Sequence, residues 1–308
     1  MSSTNAASSA EIRYNALFAD EDADFIIKAG DGTLFRICKI ILKKSSDFFK
    51  DMLQLPQPPY TQEDIVFIDE LPTVEVEESE RTLEILFTLC YPVEPPNLDD
   101  ISELASALKA ALKYDMHVIV DDLRKRWPLV AAPEPLRAFA VACNCSLREE
   151  AEIAAKLSLQ EPIWPLEPPL PVEYRYISAD TLLRLESYHR KCATVASTRA
   201  ADSTWCDSIF SAAICNHCQG EGWANLLGTR RLHWSDWFRG YTRWASKTLL
   251  LQPSSSVIME EGLVHQSMNA FQCNGMTVHE FEAMQHAVRA FGDAVEKVIS
   301  EVKLELDI

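Results

Sequence analysis

Apolar and polar positions first organise in the stretch ADFIIKAGDGTLFRICKIIL, residues 23–42. Residues 24–28 and 33–37 are rich in Phe, Ile and Thr and predict two short strands. Between them stands Asp31-Gly32, a pair suited to a type I′ turn, in which both central positions need positive φ. Ile40, Ile41 and Leu42 predict a short helix. Ser45 or Ser46 is placed to cap a second, where Phe48 and Met52, and Phe49 and Leu53, pair at i, i+4. The run PQPP ends that helix, and DIVFID, residues 64–69, predicts a compact strand. Leu83, Leu86, Phe87 and Cys90 then share a helical stripe. Glu75, Glu77, Glu78 and Glu80 precede it, where acids favour the positive end of the helix dipole. Asp99 and Asp100 open another helix, with Ile101, Leu104, Leu108, Ala111 and Leu112 on one face. A further helix is expected from His117 to Trp127.

Beyond Pro128 few strand patterns remain. Ser146-Leu147-Arg148-Glu149 has the form of a capping box and predicts a helix over 147–158. Five prolines between 162 and 171 predict an extended segment. Ser178 is placed to cap a helix running to about residue 197. The region 203–250 is rich in Trp and Cys and is expected to be partly helical. Thr277-Val278-His279-Glu280 is another capping box. The helix it starts carries Phe281, Met284, Val288, Phe291, Val295, Val298 and Val302 at heptad spacing, read as a packing seam within the chain. The fold class expected is therefore α+β in the first part and mostly α-helical in the second. The divisions are a flexible tail over 1–19, a domain over 20–127, and a helical domain over 128–308 that contains the Pro-rich segment 161–171.

Charge narrows the function. The chain has 46 acidic against 29 basic residues, a net charge of −17. Phosphate binding needs clustered Lys and Arg, so a nucleic-acid surface is not expected. The densest basic run, Arg124-Lys125-Arg126, reads as a solvated helix end. No segment reaches the ~18–20 apolar residues that span a bilayer. MSSTNAASSAEIRYN lacks the basic and apolar regions of a secretory leader. The nine cysteines, an odd number spread from Cys38 to Cys273, then read as reduced thiols of a cytoplasmic or nuclear protein.

Catalytic patterns are missing. No phosphate-cradling glycine loop, nucleophile elbow or His-Glu-x-x-His occurs, and no enzyme activity is expected. His279, Glu282 and His286 read as polar positions of an amphipathic helix. One cluster holds two readings. Leu182, Leu185, His189, Cys192 and Ala196 fall on one helical face, which places His189 and Cys192 on an apolar stripe. With Cys215 and Cys218 they form an N and S set of four, suited to a structural zinc ion. The other reading is a core histidine satisfied among buried thiols. A zinc- or thiol-dependent enzyme in the second domain is the alternative function that this cluster allows. Trp205, Trp223, Trp234, Trp237 and Trp244 read as packing residues.

Taken in order, DADFIIKAGDGTLFRICKIILKKSSDFFKDML, IVFIDEL, TLEILFTLCYP and ISELASALKAALKYDMHVIVDDLRKRW resemble the BTB/POZ domain. Phe35, Lys39, Leu42, Ser45, Phe48, Phe49, Lys113, Tyr114 and Met116 stand at the family's positions. PEPLRAFAVACNCSLREEAEIAA and YISADTLLRLESYHRKC resemble the helical continuation of fungal BTB proteins. The resemblance implies a protein-interaction module, an adaptor or scaffold, self-associating as a homodimer through the first helices and hairpin. It also implies docking to a cullin-type ubiquitin ligase scaffold or to transcription complexes without direct DNA contact. Two departures stand out. Cys38 occupies a position where the family commonly has His. The region MLQLPQPPYTQEDI carries Leu53, Leu55 and Tyr60, but no Glu follows them at the spacing of the family's cullin-binding motif.

Overall fold

The computed structural model describes residues 13–55, 66–163, 170–202, 223–226, 230–233, 236–260, 262, 264 and 278–308. Its first hairpin pairs β1 (Phe25–Lys28) antiparallel with β2 (Leu34–Ile37). The turn differs from the type I′ expectation. Only Gly32 has positive φ, at 89°, and Asp31 does not. Gly32 N–H donates to Ala29 O at 2.9 Å, and Ala29 N–H to Thr33 O at 2.9 Å. This is a three-residue loop closed by a left-handed glycine. Asp31 is thereby free to accept from Thr33 N–H at 3.0 Å and Glu80 N–H at 2.8 Å. Gly30 is needed for space, because a Cβ there would lie 2.6 Å from Glu77 O.

The two-residue turn with both residues left-handed occurs elsewhere. β3 (Val66–Ile68) and β4 (Leu71–Glu75) pair antiparallel, with Ile68 opposite Leu71. Between them Asp69 and Glu70 have φ of 49° and 63°. Neither is glycine, so the turn carries no sequence signal, and the acidic segment that holds β4 gives no strand pattern. β4 also pairs parallel to β1, giving the sheet order β2-β1-β4-β3. A left-handed backbone costs a side-chain-bearing residue about 1–2 kcal/mol. Replacing exposed Glu70 by Gly should therefore raise stability by about 1 kcal/mol. The check is a higher urea midpoint at unchanged slope.

Five helices complete this part: α1 (Lys39–Ser45), α2 (Asp47–Met52), α3 (Glu80–Cys90), α4 (Ile101–Lys113) and α5 (His117–Ala131). Three of them start at a cap made by local chemistry. Ser46, Ser79 and Asp100 accept backbone N–H groups of the helices they precede. α4 ends with Asp115 left-handed at φ 49° and Met116 N–H donating to Ala111 O at 2.9 Å, a Schellman closure. α5 passes through Pro128 rather than stopping near Trp127. Phe25, Ile26 and Ile27 are all buried, so β1 is covered on both faces. Phe18 packs on Phe35, Phe87 and Tyr91 with ring centroids 5.9, 5.8 and 5.4 Å apart.

α6 (Pro135–Asn144) and α7 (Arg148–Leu157) follow. Ser146 is not the N-cap of a capping box. It sits left-handed at φ 58°, and Leu147 N–H donates back to Ala142 O at 2.9 Å, closing α6 as a second Schellman motif. The chain forms two compact units. One runs to Glu134 and takes in Val141–Glu150; the other comprises Pro135–Ala140 and the chain from Ala151 onward.

In the second unit α8 (Ala179–Ala201) starts at the Ser178 cap, whose hydroxyl accepts Thr181 N–H at 3.0 Å. It packs against α9 (Asp236–Leu249) and α11 (Val278–Ser300). α10 (Ser255–Ile258) touches α9 and α11. Tyr241 is buried, meets Phe291 edge to face with ring centroids 5.7 Å apart and donates to Ile258 O at 2.7 Å. A hairpin of β5 (Trp223–Leu226) and β6 (Arg230–His233) lies in a region whose pattern reads as partly helical. Among the described side chains of α11 the buried stripe includes Val288, Phe291, Val295 and Ile299 but not Val298; the side chains of Phe281 and Met284 lie outside the described residues. A straight helix drifts from a strict 3.5-residue repeat, which moves the last buried position along by one. Thr277 and most of the Pro-rich segment, 164–169, lie outside the described residues. No described helix is long and apolar enough to cross a membrane.

Candidate protein-interaction surface

The start of α1 is held by two side chains from elsewhere in the unit. Cys38 is its N-cap residue but offers no side-chain cap bond. Asp24, at the head of the hairpin, accepts Lys39 N–H at 2.7 Å instead. Cys38 N–H donates to Tyr91 Oη at 2.8 Å. Burial pushes the Tyr91 hydroxyl up to about 12, so it serves as a neutral hydrogen-bonding group. The cysteine thus stands where neighbours already perform the capping. No sequence signal points to Asp24 or Tyr91, because they lie 15 and 53 residues from their partners.

The end of α4 is tied to α2 in the same way. Ser46 Oγ donates to Tyr114 O at 2.6 Å and accepts Phe49 N–H at 3.0 Å. Phe49 and Tyr114 stack at 4.9 Å, and Phe48 lies on both at 5.2 and 5.5 Å. Tyr114 Oη donates to Glu78, which also pairs with Lys113 at 2.8 Å. Burial raises the Glu78 carboxyl, but the bonds from Lys113 and Tyr114 outweigh it and hold the group below its usual value. The acids before α3 therefore do more than charge a helix end; Glu78 anchors the Lys-Tyr junction.

Apolar side chains stand outside this frame. Ile40 on α1 is 65% exposed, Phe48 on α2 43%, and Val118 at the start of α5 83%. Asp47 Oδ2 lies 3.8 Å from His117 Nε2, which brings the first turns of α2 and α5 side by side. Single exposed apolar residues are ordinary. Here three sit on the helices α1, α2 and α5 of the first unit. Two residues of the basic run on α5 are paired within the unit: Arg124 with Glu149 and Glu150, and Arg126 with Asp122.

Residues 14–126 match the BTB/POZ domain family. They form a BTB/POZ domain. The sheet, helices α1 to α4 and the Lys-Tyr-x-Met junction just described fall inside the matched range, and α5 runs past its end. BTB/POZ domains are protein–protein interaction modules. No curated protein matches the chain.

The second unit holds half of the proposed metal set. His189 and Cys192 are buried on the stripe of α8, with Leu185 and Ala196. Cys215 and Cys218 lie outside the described residues. Among the described residues no group of three or more His, Cys, Asp and Glu is placed to hold a metal ion. His189 Nε2 has a protein partner, Ser158 Oγ at 2.8 Å. Burial pushes its imidazole down to about 4 and the Cys192 thiol up to about 11. Cys90 and Cys143 are raised to about 11 and about 12 by the same cause. Raised thiols are protonated and unreactive at neutral pH. Of the tryptophans, Trp223 is in β5 and Trp237 and Trp244 are in α9, while Trp205 and Trp234 fall outside the described residues.

Proposed function

We propose that the chain is an adaptor or scaffold whose BTB/POZ domain self-associates as a homodimer and presents the second, helical unit to other proteins. The exposed apolar side chains on three of its helices, Ile40, Phe48 and Val118, support the self-association; Ile40, on the helix that follows the first hairpin, is the position tested. A single aspartate at this position disrupts an apolar contact while leaving the fold, since the side chain is mostly in water. Ile40→Asp should therefore move the solution mass, read by light scattering, from twice the chain mass to the chain mass. At a dilution where both chains are monomers, stability should differ by less than about 0.5 kcal/mol, as for other surface substitutions. A wild-type chain that is monomeric at high concentration removes the dimer.

Affinity capture from cell extract, run on the same two proteins, tests the adaptor role, with a cullin scaffold as one defined bait. Leu55, in the sequence region 52–65 that would carry the cullin-binding motif, is 65% exposed; Tyr60 lies outside the described residues. Zinc binding through His189, Cys192, Cys215 and Cys218 is a second reading, supported by the placement of the first two on one buried face. It predicts one equivalent of metal in the purified chain and lost folding in chelator. A metal-free chain with unchanged melting excludes it.

A further inference from the structure

Residues 302–308 follow α11 and belong to no helix or strand. A single turn, Val302 N–H to Ile299 O at 3.0 Å, joins them to the helix. Their burial alternates. Leu304 and Leu306 are 7% and 3% exposed, while Lys303, Glu305 and Asp307 face solvent. A period of two is that of an extended chain covered on one side. The other side is held by α8, within the same unit. Glu305 Oε1 pairs with Lys191 Nζ at 3.2 Å, and Asp307 Oδ2 with Arg184 Nη2 at 2.9 Å. Arg184 Nη1 also donates to Glu305 O at 3.4 Å. The two bases stand about two turns apart on one side of α8, and the order of the pairs makes the segment run antiparallel to the helix. Asp180 steadies Arg184 from the preceding turn, at 2.6 Å.

We propose that this seat along α8 is a docking site for an extended acidic peptide of a partner protein, with leucine at every second position, and that residues 302–308 occupy it within the chain. The segment itself shows the chemistry that fits. Two apolar side chains at i, i+2 enter the unit, and the acids beside them meet Lys191 and Arg184. In a chain of net charge −17, two bases aimed at one segment select acids over bases. The contact is suited to exchange. Its ion pairs are solvated, with Glu305 and Asp307 mostly in water, and hold little by themselves. The burial of two leucines is opposed by the entropy of ordering the backbone that carries them. A peptide of the same pattern therefore replaces the segment with no change beyond the turn at Val302. The proposal rests on the adaptor reading for the existence of a partner, and not on the homodimer.

The test is fluorescence anisotropy of a labelled peptide, VKLELDI, titrated with the full chain as wild type and as Leu304→Asp/Leu306→Asp. Charged side chains cannot take the two buried positions, so the variant's own segment leaves the seat. The variant should bind the peptide at least about tenfold more tightly than wild type, whose tethered segment competes. Adding Arg184→Glu and Lys191→Glu to the variant should weaken binding at least about tenfold, and a peptide with serine for both leucines should not bind. Should the variant fail to fold, the wild type decides: excess VKLELDI should move the amide resonances of Leu304 and Leu306 to random-coil positions, and the serine peptide should leave them in place. No binding to a folded variant, equal affinity of wild type and variant, affinity untouched by the charge reversals, or Leu304 and Leu306 resonances unmoved by excess peptide each overturns the proposal. Peptide binding beside an empty affinity capture supports the seat and removes the adaptor reading instead.

Discussion

Arg124→Ala should lower the stability of the chain by about 3 kcal/mol. The reason lies with its partner. Glu150 has a side chain only 2% exposed, and Arg124 Nε donates to its Oε1 at 3.0 Å. Trp127 Nε1–H donates to Glu150 O at 3.1 Å, so the same residue is held at backbone and side chain. Trp127 itself is fully buried. Removing Arg124 leaves a carboxylate desolvated and unpaired, which costs far more than a surface pair contributes. The arginine is 35% exposed, so water reaches its end of the pair and keeps the effect near the lower limit for buried ion pairs. Glu149, on the surface, accepts from the same guanidinium at 3.0 Å and should contribute little. The sharpest check is a double-mutant cycle with Glu150→Gln. If Arg124→Ala costs as much in the chain that carries Glu150→Gln as in the wild type, the pair is not coupled and this account fails.

The second large effect concerns pH. His189 titrates near 6.5 in the unfolded chain and near 4 in the folded one, because burial disfavours its charged form. Between those values the unfolded chain binds a proton that the folded chain does not. Stability is therefore fully present above about pH 6.5 and falls as the pH drops toward 4. The gap between the two values corresponds to about 3 kcal/mol. Other groups add to the acid dependence, including Glu78 and Glu296, which burial raises but which hydrogen bonds from Lys113 and Tyr114, and from Lys156 and Ser255, hold below their usual value. The informative quantity is the difference between wild type and His189→Gln. At pH 7.5 the variant should be the less stable, having a poorer fit beside Ser158. That deficit should shrink by about 3 kcal/mol on going to pH 4. A difference that stays constant with pH would show that His189 charges as readily in the fold as outside it.

Both effects rest on pairs that the chain closes over 26 and 31 residues, Arg124 with Glu150 and His189 with Ser158. Neither pair shows in local patterns. Arg124 reads as part of a solvated basic run, and Ser158 as the last residue of a helix. His189 shows how far periodicity alone reaches. Its spacing with Leu185, Cys192 and Ala196 places it on one apolar face, and the structure buries it there. What satisfies the ring depends on where a second helix brings a hydroxyl.

The helix starts at Asp47, Ile101 and Ala179 are legible because a capping side chain acts on an N–H two or three residues away. The first hairpin is legible from its strands, though its turn is not: Asp-Gly serves two turn types, and Asp31 adopts the one that lets its carboxylate reach Glu80. The turn at Asp69-Glu70 has no local signal at all. It is imposed by the pairing of β4 with both β3 and β1, and by Arg36, which holds Asp69 Oδ2 at 2.7 Å from across the sheet. By itself the sequence determined the elements whose stabilising contacts lie within one helical turn or along one strand, and the order of elements that marks the BTB/POZ domain. Only the tertiary structure decided which left-handed residues are tolerated, which buried charges and rings are paired, and which apolar side chains stay in water. Those outcomes depend on contacts between segments that neighbouring residues cannot encode, because their free energy appears only when distant parts of the chain are packed together.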